Sequence, residues 1–342
     1  MKVAIVGAGV SGLSAAYFLF EYFPDANVTV FEKSSGLGGR MATRRITGDI
    51  PIDTGCQFLS IDDPEILDFF LRFAPEESLR PIPLPILCLP DGWVVEPEAR
   101  YCFADGMTHW SKSLVEALKK NKGFTLKLES PVESIESLTA QGFDAIFVSA
   151  PGPQASALGA RDAVEYNACL SLVFSWHTPP HEAVDHYAFR DISSRDGITW
   201  LAHESLKRGR AGIWLAQVSH EKSLEWKDKG TEELEDLLVA DLAAWIPAFA
   251  EGEKTLLDKK FWLNAFPSAG RDITDQRDFE SQETPSSPRA PSCPLYFIGD
   301  GFKGVGRVEN AIESARASVQ NLVGRIAESP VEALDKKDTP SS

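Results

Sequence analysis

The sequence predicts an α/β fold in which a parallel sheet is assembled from separated stretches of chain. A smaller, mixed antiparallel β-sheet domain with helices is inserted into it. Three observations predict this. A strand, a glycine-rich turn, a helix and a second strand follow one another within the first 32 residues. Near the other end, the uncharged run Leu295-Tyr296-Phe297-Ile298 leads through Gly299-Asp300 into a long helical period. Between them lie short aromatic and β-branched runs punctuated by Gly and Pro, the pattern of an antiparallel sheet. A chain of 342 residues has room for about two such domains.

The opening run Val3-Ala4-Ile5-Val6 is uncharged and β-branched, as a central parallel strand buried on both faces must be. It passes directly into Gly7-Ala8-Gly9-Val10-Ser11-Gly12. Leu13, Ala16, Tyr17 and Phe20 then recur at helical spacing from about Val10 to Phe23, and Pro24-Asp25 stops the helix. Asn27 to Glu32 reads as a second strand ending in an acid. A lone G-x-G-x-x-G is weak evidence, but here every element appears in order. Glu32 lies 20 residues beyond Gly12, the distance at which a carboxylate meets ribose hydroxyls. Gly7 permits the tight turn, Gly9 lets the backbone approach a pyrophosphate, and Gly12 lets helix and strand pack closely. The free N–H groups of the helix face the phosphates.

A second glycine cluster, Gly36-Leu37-Gly38-Gly39-Arg40-Met41-Ala42-Thr43-Arg44-Arg45, follows the acid-bearing strand. A plain nicotinamide dehydrogenase has no need of it. A longer dinucleotide, whose pyrophosphate and flavin end extend past the strand, does. The pattern resembles the FAD proteins with two dinucleotide-binding motifs, the superfamily of the amine oxidases. Within that superfamily it more closely resembles renalase and its bacterial relatives. The residues carrying that similarity are the second glycine cluster, then Ile52-Asp53-Thr54-Gly55-Cys56-Gln57-Phe58, and Gly299-Asp300 followed by Arg307-Val308-Glu309-Asn310-Ala311. The second segment departs from a D-x-G-A-Q-Y pattern by Cys for Ala and Phe for Tyr. The similarity is strong over about residues 1–60 and 290–325 and thin between about 160 and 285.

The resemblance implies noncovalently bound FAD. The expected cofactor residues at the N-terminal end are Gly7, Gly9, Val10, Ser11, Gly12, Glu32 and Lys33, then Gly38, Gly39, Arg40 and Met41. Cys56, Gln57 and Phe58 follow, with Val132 at the adenine end through its backbone, and Ala150. At the C-terminal end they are Gly299, Asp300, Arg307, Val308 and Glu309. Asp300, at a strand end before a helix, suits a ribityl hydroxyl, and the helix N–H groups suit the negative end of a reduced flavin. Glu309 is equally well read as a first-turn acid favoured by the helix dipole, and no chemistry is assigned to it.

The remaining elements follow from period and punctuation. Gly106 to Lys120 reads as a helix, with Met107, Trp110, Leu114, Ala117 and Leu118 along one face. Phe124 to Ile135 and Phe143 to Pro151 read as strands of the parallel sheet. Leu170–Trp176, Gly197–Ala202 and Gly212–Gln217 read as antiparallel strands, with a helix over Glu232–Trp245 lying on them. Arg80–Pro97 reads as loop-rich chain with room for short strands, Gln282–Pro294 as a Pro/Ser-rich linker, and Arg307–Ile326 as a helix. Together with these elements, the resemblance implies the fold class of a two-dinucleotide-binding-domain flavoprotein: a Rossmann-like FAD domain from residues 1–60, 100–160 and 290–326, and a smaller mixed antiparallel β-sheet substrate domain from 61–99 and 161–285. Residues 328–342 form a disordered tail.

Composition excludes several classes. Lys and Arg number 34 against 50 Asp and Glu, a net charge of −16, which argues against nucleic acid or an anionic membrane as partner. Cys56, Cys88, Cys102, Cys169 and Cys293 form no C-x-x-C pair. His177 and His181 are four apart, but Pro179-Pro180 denies the helix that would join them, so no metal is expected. No apolar run approaches the ~18 residues of a membrane span. Strand-like residues begin at Lys2, which leaves no room for a secretory leader, and the expected location is the cytoplasm.

Trp200, His203, Trp214, Trp262, Asn264 and Phe266 are the residues expected to line a flat substrate pocket, with Trp262 foremost. No catalytic triad is needed, because in hydride transfer to a flavin the cofactor carries the chemistry and the protein orients the donor. The resemblance implies oxidation of dihydro isomers of NAD(P)H, with molecular oxygen reduced to hydrogen peroxide. The alternatives are a flavin amine oxidase or desaturase and a non-catalytic FAD-binding protein. The aromatic pair that amine oxidases bring near a C-terminal glycine segment has no clear counterpart in Gly301-Phe302-Lys303-Gly304-Val305-Gly306.

Overall fold

The computed structural model describes residues 1–46, 50–74, 76–97, 100–160, 164–209, 212–268, 293–302 and 306–328. A five-stranded, wholly parallel sheet runs in the order Phe124–Lys127, Asn27–Phe31, Lys2–Val6, Ala145–Val148, Leu295–Phe297. Its central strands are the uncharged runs of the sequence, and Val3, Ala4, Ile5 and Ala145 to Val148 are fully buried. The Val10–Tyr22 and Val308–Glu328 helices pack against each other and, with the Thr108–Leu118 helix, cover one face.

A seven-stranded sheet stands apart from it, in the order Lys254–Pro267, Tyr166–Trp176, Ile213–Val218, Ile198–Ala202, Ala188–Asp191, Ile86–Leu89, Trp93–Val95. Pairing is antiparallel except between Ala188–Asp191 and Ile86–Leu89. The Thr231–Trp245 helix buries Leu234, Leu238 and Leu242 against one face, with Phe174, Trp176 and Trp214. Because side chains alternate along a strand, the other face is left to a second partner. That partner is the Ile50–Asp53 strand, whose Ile52 packs with Val173, Ile213 and Leu215, together with the cleft described below.

One reading of the sequence changes. The strand from Phe124 stops at Lys127 instead of Ile135, and Ile135–Thr139 is helical. Glu129 takes a left-handed φ of 51°, and Pro131 has no N–H for a ladder. The chain still docks, through Glu129 N–H to the Ser34 carbonyl and Ser130 N–H to the Glu32 carbonyl. The stretch Arg80–Pro97 holds two short strands of the larger sheet, Ile86–Leu89 and Trp93–Val95, as the reading of loop-rich chain with short strands allows. The sequence reading missed the Pro64–Phe73 helix, which Asp63 caps by accepting from Glu65 N–H at 2.8 Å and in which Pro64 occupies the first turn. Most of the Gln282–Pro294 linker and all but residue 328 of the expected tail lie outside the described residues. No described helix is long and apolar enough to cross a membrane.

Candidate active site

In the parallel sheet the strand order reverses beside Lys2–Val6, which has Asn27–Phe31 on one side and Ala145–Val148 on the other. Open α/β sheets bind ligands in the crevice at such a point, outside the carboxyl ends of the strands. The glycine turn lies there. A Cβ at Gly12 would stand 2.1 Å from the Gly7 carbonyl oxygen, so only glycine lets the helix pack this closely. Nothing lies within 4 Å of a Cβ built at Gly9, and its backbone faces open space. The Val10–Tyr22 helix begins there with no side-chain cap and no acid in its first turn. Its first N–H groups are thus available to an anion.

The second glycine cluster meets the first. Gly38 N–H donates to the Ala8 carbonyl at 3.0 Å, and Gly39 approaches the Gly9 backbone. Glu32 accepts from Ala8 N–H and from Ser34 N–H, each at 2.8 Å, so its carboxylate braces both sides of the turn. A cradle of open glycine backbone, uncapped helix N–H groups and a strand-end carboxylate fits a dinucleotide.

Arg40 leaves this cradle and forms a two-pronged pair with Asp300, at 2.7 and 2.5 Å. It also donates to the Ala265 carbonyl at 3.2 Å, and the Tyr166 hydroxyl donates to Asp300 at 3.2 Å. Burial alone would lower the Arg40 pKa, but the Asp300 charge outweighs it and holds the guanidinium above its ordinary value. Asp300 is therefore a shared carboxylate, not a free one.

The Thr54–Phe58 turn closes the middle of the cleft. Three side chains of the seven-stranded sheet grip its carbonyls: Ser171 Oγ and Trp262 Nε1 donate to Thr54 O at 2.7 and 2.8 Å, and Gln217 Nε2 to Gly55 O at 3.3 Å. Gln57 Nε2 turns back onto the Asp53 carbonyl. Cys56 Sγ donates to the Phe58 carbonyl at 3.0 Å, and burial, reinforced by the Asp53 charge, pushes its thiol up to about 12. It stays protonated at neutral pH and is a poor nucleophile.

Below this turn lies a buried ionic quartet. Asp53, Glu204 and Lys207 have fully buried side chains, and that of Arg208 is nearly so. Arg208 contacts Asp53 at 2.6 Å, and Lys207 pairs with Glu204 and lies 3.4 Å from Asp53. Two positive and two negative groups cancel. Burial alone would raise the Asp53 pKa, but Lys207 and Arg208 hold it below its ordinary value. The quartet ties the Ser205–Arg208 helix of the larger sheet to the strand leading into the cleft turn. The sequence reading missed it.

With the quartet behind them, the two glycine clusters, Glu32, the Arg40–Asp300 pair and the Thr54–Phe58 turn wall one cleft of about 1570 Å3. That exceeds the roughly 300–1,000 Å3 of an ordinary small-molecule pocket, as a dinucleotide plus a second ligand requires. Every residue expected to touch the cofactor lines it except Gly12, which packs behind. Val132 and Ala150 stand beside the Glu32 end, and Arg307, Val308 and Glu309 at the start of the C-terminal helix. Glu309 accepts from Asp62 N–H at 2.8 Å, so its carboxylate already serves the fold. Lys303, Gly304 and Val305 lie outside the described residues.

The expected substrate-pocket residues divide. Trp200, Trp262, Asn264 and Phe266 line the cleft, and Trp200 packs on Phe58 and Tyr187. His203 and Trp214 do not line it. Trp214 is fully buried, and His203 stacks flat on it at 4.2 Å with an interplanar angle of 4°. On the Ile213–Val218 strand Trp214 faces the core under the long helix, away from the cleft. His203 is core as well, and burial lowers its pKa from 6.5 to about 4. Above pH 6.5 the ring is neutral in both states and costs nothing; below it only the unfolded chain gains the proton. Stability should therefore fall from about pH 6.5 to about pH 4, by on the order of 3 kcal/mol. His203→Phe should flatten that part of the urea-midpoint curve; an unchanged slope would refute the assignment.

Comparison with known proteins places the site in a family. Residues 5–73 match the NAD(P)-binding Rossmann-like domain, and residues 88–323 match the flavin containing amine oxidoreductase model, more than two thirds of the chain. Among solved structures, an Exiguobacterium sp. 255-15 protein provisionally named a protoporphyrinogen oxidase superposes with a TM-score of 0.74 at 15% identity, over 95% of this chain and 99% of that one. A putrescine oxidase with putrescine bound gives 0.60 at 15% identity, over 95% and 100%. Both are likenesses of fold. Among curated proteins, Staphylococcus aureus coproporphyrinogen III oxidase is 50% identical over 47 residues, and Bos taurus prenylcysteine oxidase 1 is 48% identical over 48. Each match covers 14% of this chain and only 10% and 9% of the relative. The chain belongs to the flavin-containing amine oxidoreductase family, FAD-dependent oxidoreductases, and FAD is its cofactor.

Proposed function

We propose that the chain is a renalase-like oxidase that takes a hydride from dihydro isomers of NAD(P)H. Each donor with one proton and one molecule of oxygen gives NAD(P)+ and hydrogen peroxide, so the two electrons of the hydride end on oxygen. Bound FAD supplies the hydride-accepting chemistry. The chain's residues bind and orient. The Gly9 backbone and the uncapped Val10–Tyr22 helix hold phosphates, and Glu32 holds ribose hydroxyls. The parallel-sheet part carries the cofactor, and the seven-stranded sheet covers the flavin end and keeps water from it. Phe58, Trp200 and Trp262 offer flat surfaces against which a planar ring is aligned.

One observation carries this reading over amine oxidation: among the described residues, the one cleft-lining carboxylate of the seven-stranded sheet, Asp191, is turned into a bend and is not presented to a cationic amine. Of the lining acids, Glu32, Asp300 and Glu309 are engaged as described. Asp191 accepts from Ser193 Oγ at 2.7 Å and Arg195 N–H at 3.0 Å. Glu133 lies beside Val132, away from the sheet wall. Amine oxidation remains the second reading, favoured by the family match and the putrescine oxidase likeness. Trp262→Ala tests the proposal. It removes a ring wall and one of two donors to the Thr54 carbonyl; Ser171 Oγ still holds the turn, and Gly9, Glu32 and the Val10–Tyr22 helix N-terminus are untouched. Single-turnover flavin reduction by a dihydronicotinamide isomer should slow at least tenfold, with FAD content, measured after acid release, unchanged. Reduction at the parental rate would make Trp262 a mere core residue.

A further inference from the structure

The cross-strand register of the larger sheet lines up one row of side chains on its cleft face. Lys260 pairs with Ser171, Ser171 with Gln217, Gln217 with Trp200, and Trp200 with Arg190. Ser171 and Gln217 are spent on gripping the cleft turn. Trp200 supplies a ring, and Lys260 lies over the Trp262 ring at 5.0 Å. Arg190 is different. Its neighbour Phe189 packs into the opposite core, on Phe249, so alternation sends Arg190 to the cleft, which it lines. It is exposed, and no carboxylate or carbonyl among the described residues pairs with its guanidinium. Asp191, the nearest acid in sequence, is turned into the Ser193–Arg195 bend.

We propose that Arg190 is a specificity residue that binds an anionic group, a phosphate or carboxylate, carried by a planar substrate whose ring lies against Trp200. The inference rests on the planar-donor reading above and adds what the donor must carry besides its ring. An uncommitted guanidinium across the strand from an aromatic face suits such a ligand, because Arg grips phosphate and carboxylate through two parallel hydrogen bonds. A cationic diamine would be repelled at the same point. In a protein of net charge −16, a cation at this wall also counters the repulsion an anionic substrate meets on approach.

The test uses FAD-loaded Arg190→Gln and Arg190→Lys. The donors are dihydronicotinamide mononucleotide, which carries a phosphate, and dihydronicotinamide riboside, which does not. In the parent, the phosphate donor should have the lower KM, by about tenfold, the strength expected of a charge-assisted pair. In Arg190→Gln that KM ratio should collapse towards one while kcat for the phosphate donor holds; Arg190→Lys should recover part of it. A ratio that persists in Arg190→Gln overturns the proposal. A second arm does not depend on turnover. The oxidised holoenzyme is titrated with nicotinamide mononucleotide and with 2-naphthoate, and the flavin spectrum is followed. Weaker binding of either anion to Arg190→Gln supports the subsite even if no dihydronicotinamide reduces the flavin, and the preferred anion identifies phosphate or carboxylate. Equal binding to parent and variant, or none to the parent at millimolar concentration, overturns it. Flavin reduction with an unchanged KM ratio leaves the oxidase reading standing and removes Arg190 from it.

Discussion

Glu32→Ala is expected to weaken FAD binding by about tenfold to a hundredfold. The carboxylate accepts Ala8 N–H and Ser34 N–H and is proposed to accept the ribose hydroxyls as well. Charge-assisted hydrogen bonds of this kind are worth roughly 1.5–3 kcal/mol, and about 1.4 kcal/mol is a factor of ten. Removing the carboxylate orphans the Ala8 N–H beside the cleft and loosens the turn that presents Gly9. Glu32→Gln keeps an acceptor and should lose less. Titrating apoprotein with FAD by flavin fluorescence measures the change; parental affinity in Glu32→Ala would mean that the strand-end acid does not hold the cofactor.

Lys207→Met should destabilise the protein by about 3–5 kcal/mol, because breaking a buried pair from one side leaves an uncompensated charge. Glu204 would keep only Arg208, 3.6 Å away, and Asp53 would share that same cation. The double replacement Glu204→Gln with Lys207→Met restores neutrality and should recover most of the loss, since a buried ion pair is seldom worth more than its neutral replacement. Urea midpoints of the holoprotein decide it. If the single replacement costs under about 1 kcal/mol, the quartet is as weak as a surface ion pair and does not tie the Ser205–Arg208 helix to the Ile50–Asp53 strand.

What could be read from the sequence was what short spacing encodes. The first βαβ unit, both glycine clusters and the C-terminal strand and helix depend on residues within about twenty positions of each other, so turn chemistry and period suffice. The quartet shows the limit. Glu204, Lys207 and Arg208 stand at helical spacing and look like a solvated charged face, the usual meaning of such a run. Only the fold brings Asp53 against them from 154 residues away and buries all four. The tryptophans make the same point. Trp200 and Trp214 occupy neighbouring strands of similar composition, yet one faces the cleft and the other the core, because register decides the face and is set by pairing distant in sequence. Arg190 went unnoticed for the same reason.

The most direct test of the central claim is anaerobic mixing of the oxidised holoenzyme with dihydronicotinamide isomers and, separately, with primary amines and diamines, while flavin absorbance is recorded in a stopped-flow cell. At least one dihydro isomer should bleach the flavin within a single turnover and leave NAD(P)+, faster than any amine. Admitting oxygen should then restore the absorbance and yield one hydrogen peroxide per flavin. Faster bleaching by a primary amine than by every dihydronicotinamide would contradict the account and make the protein an amine oxidase.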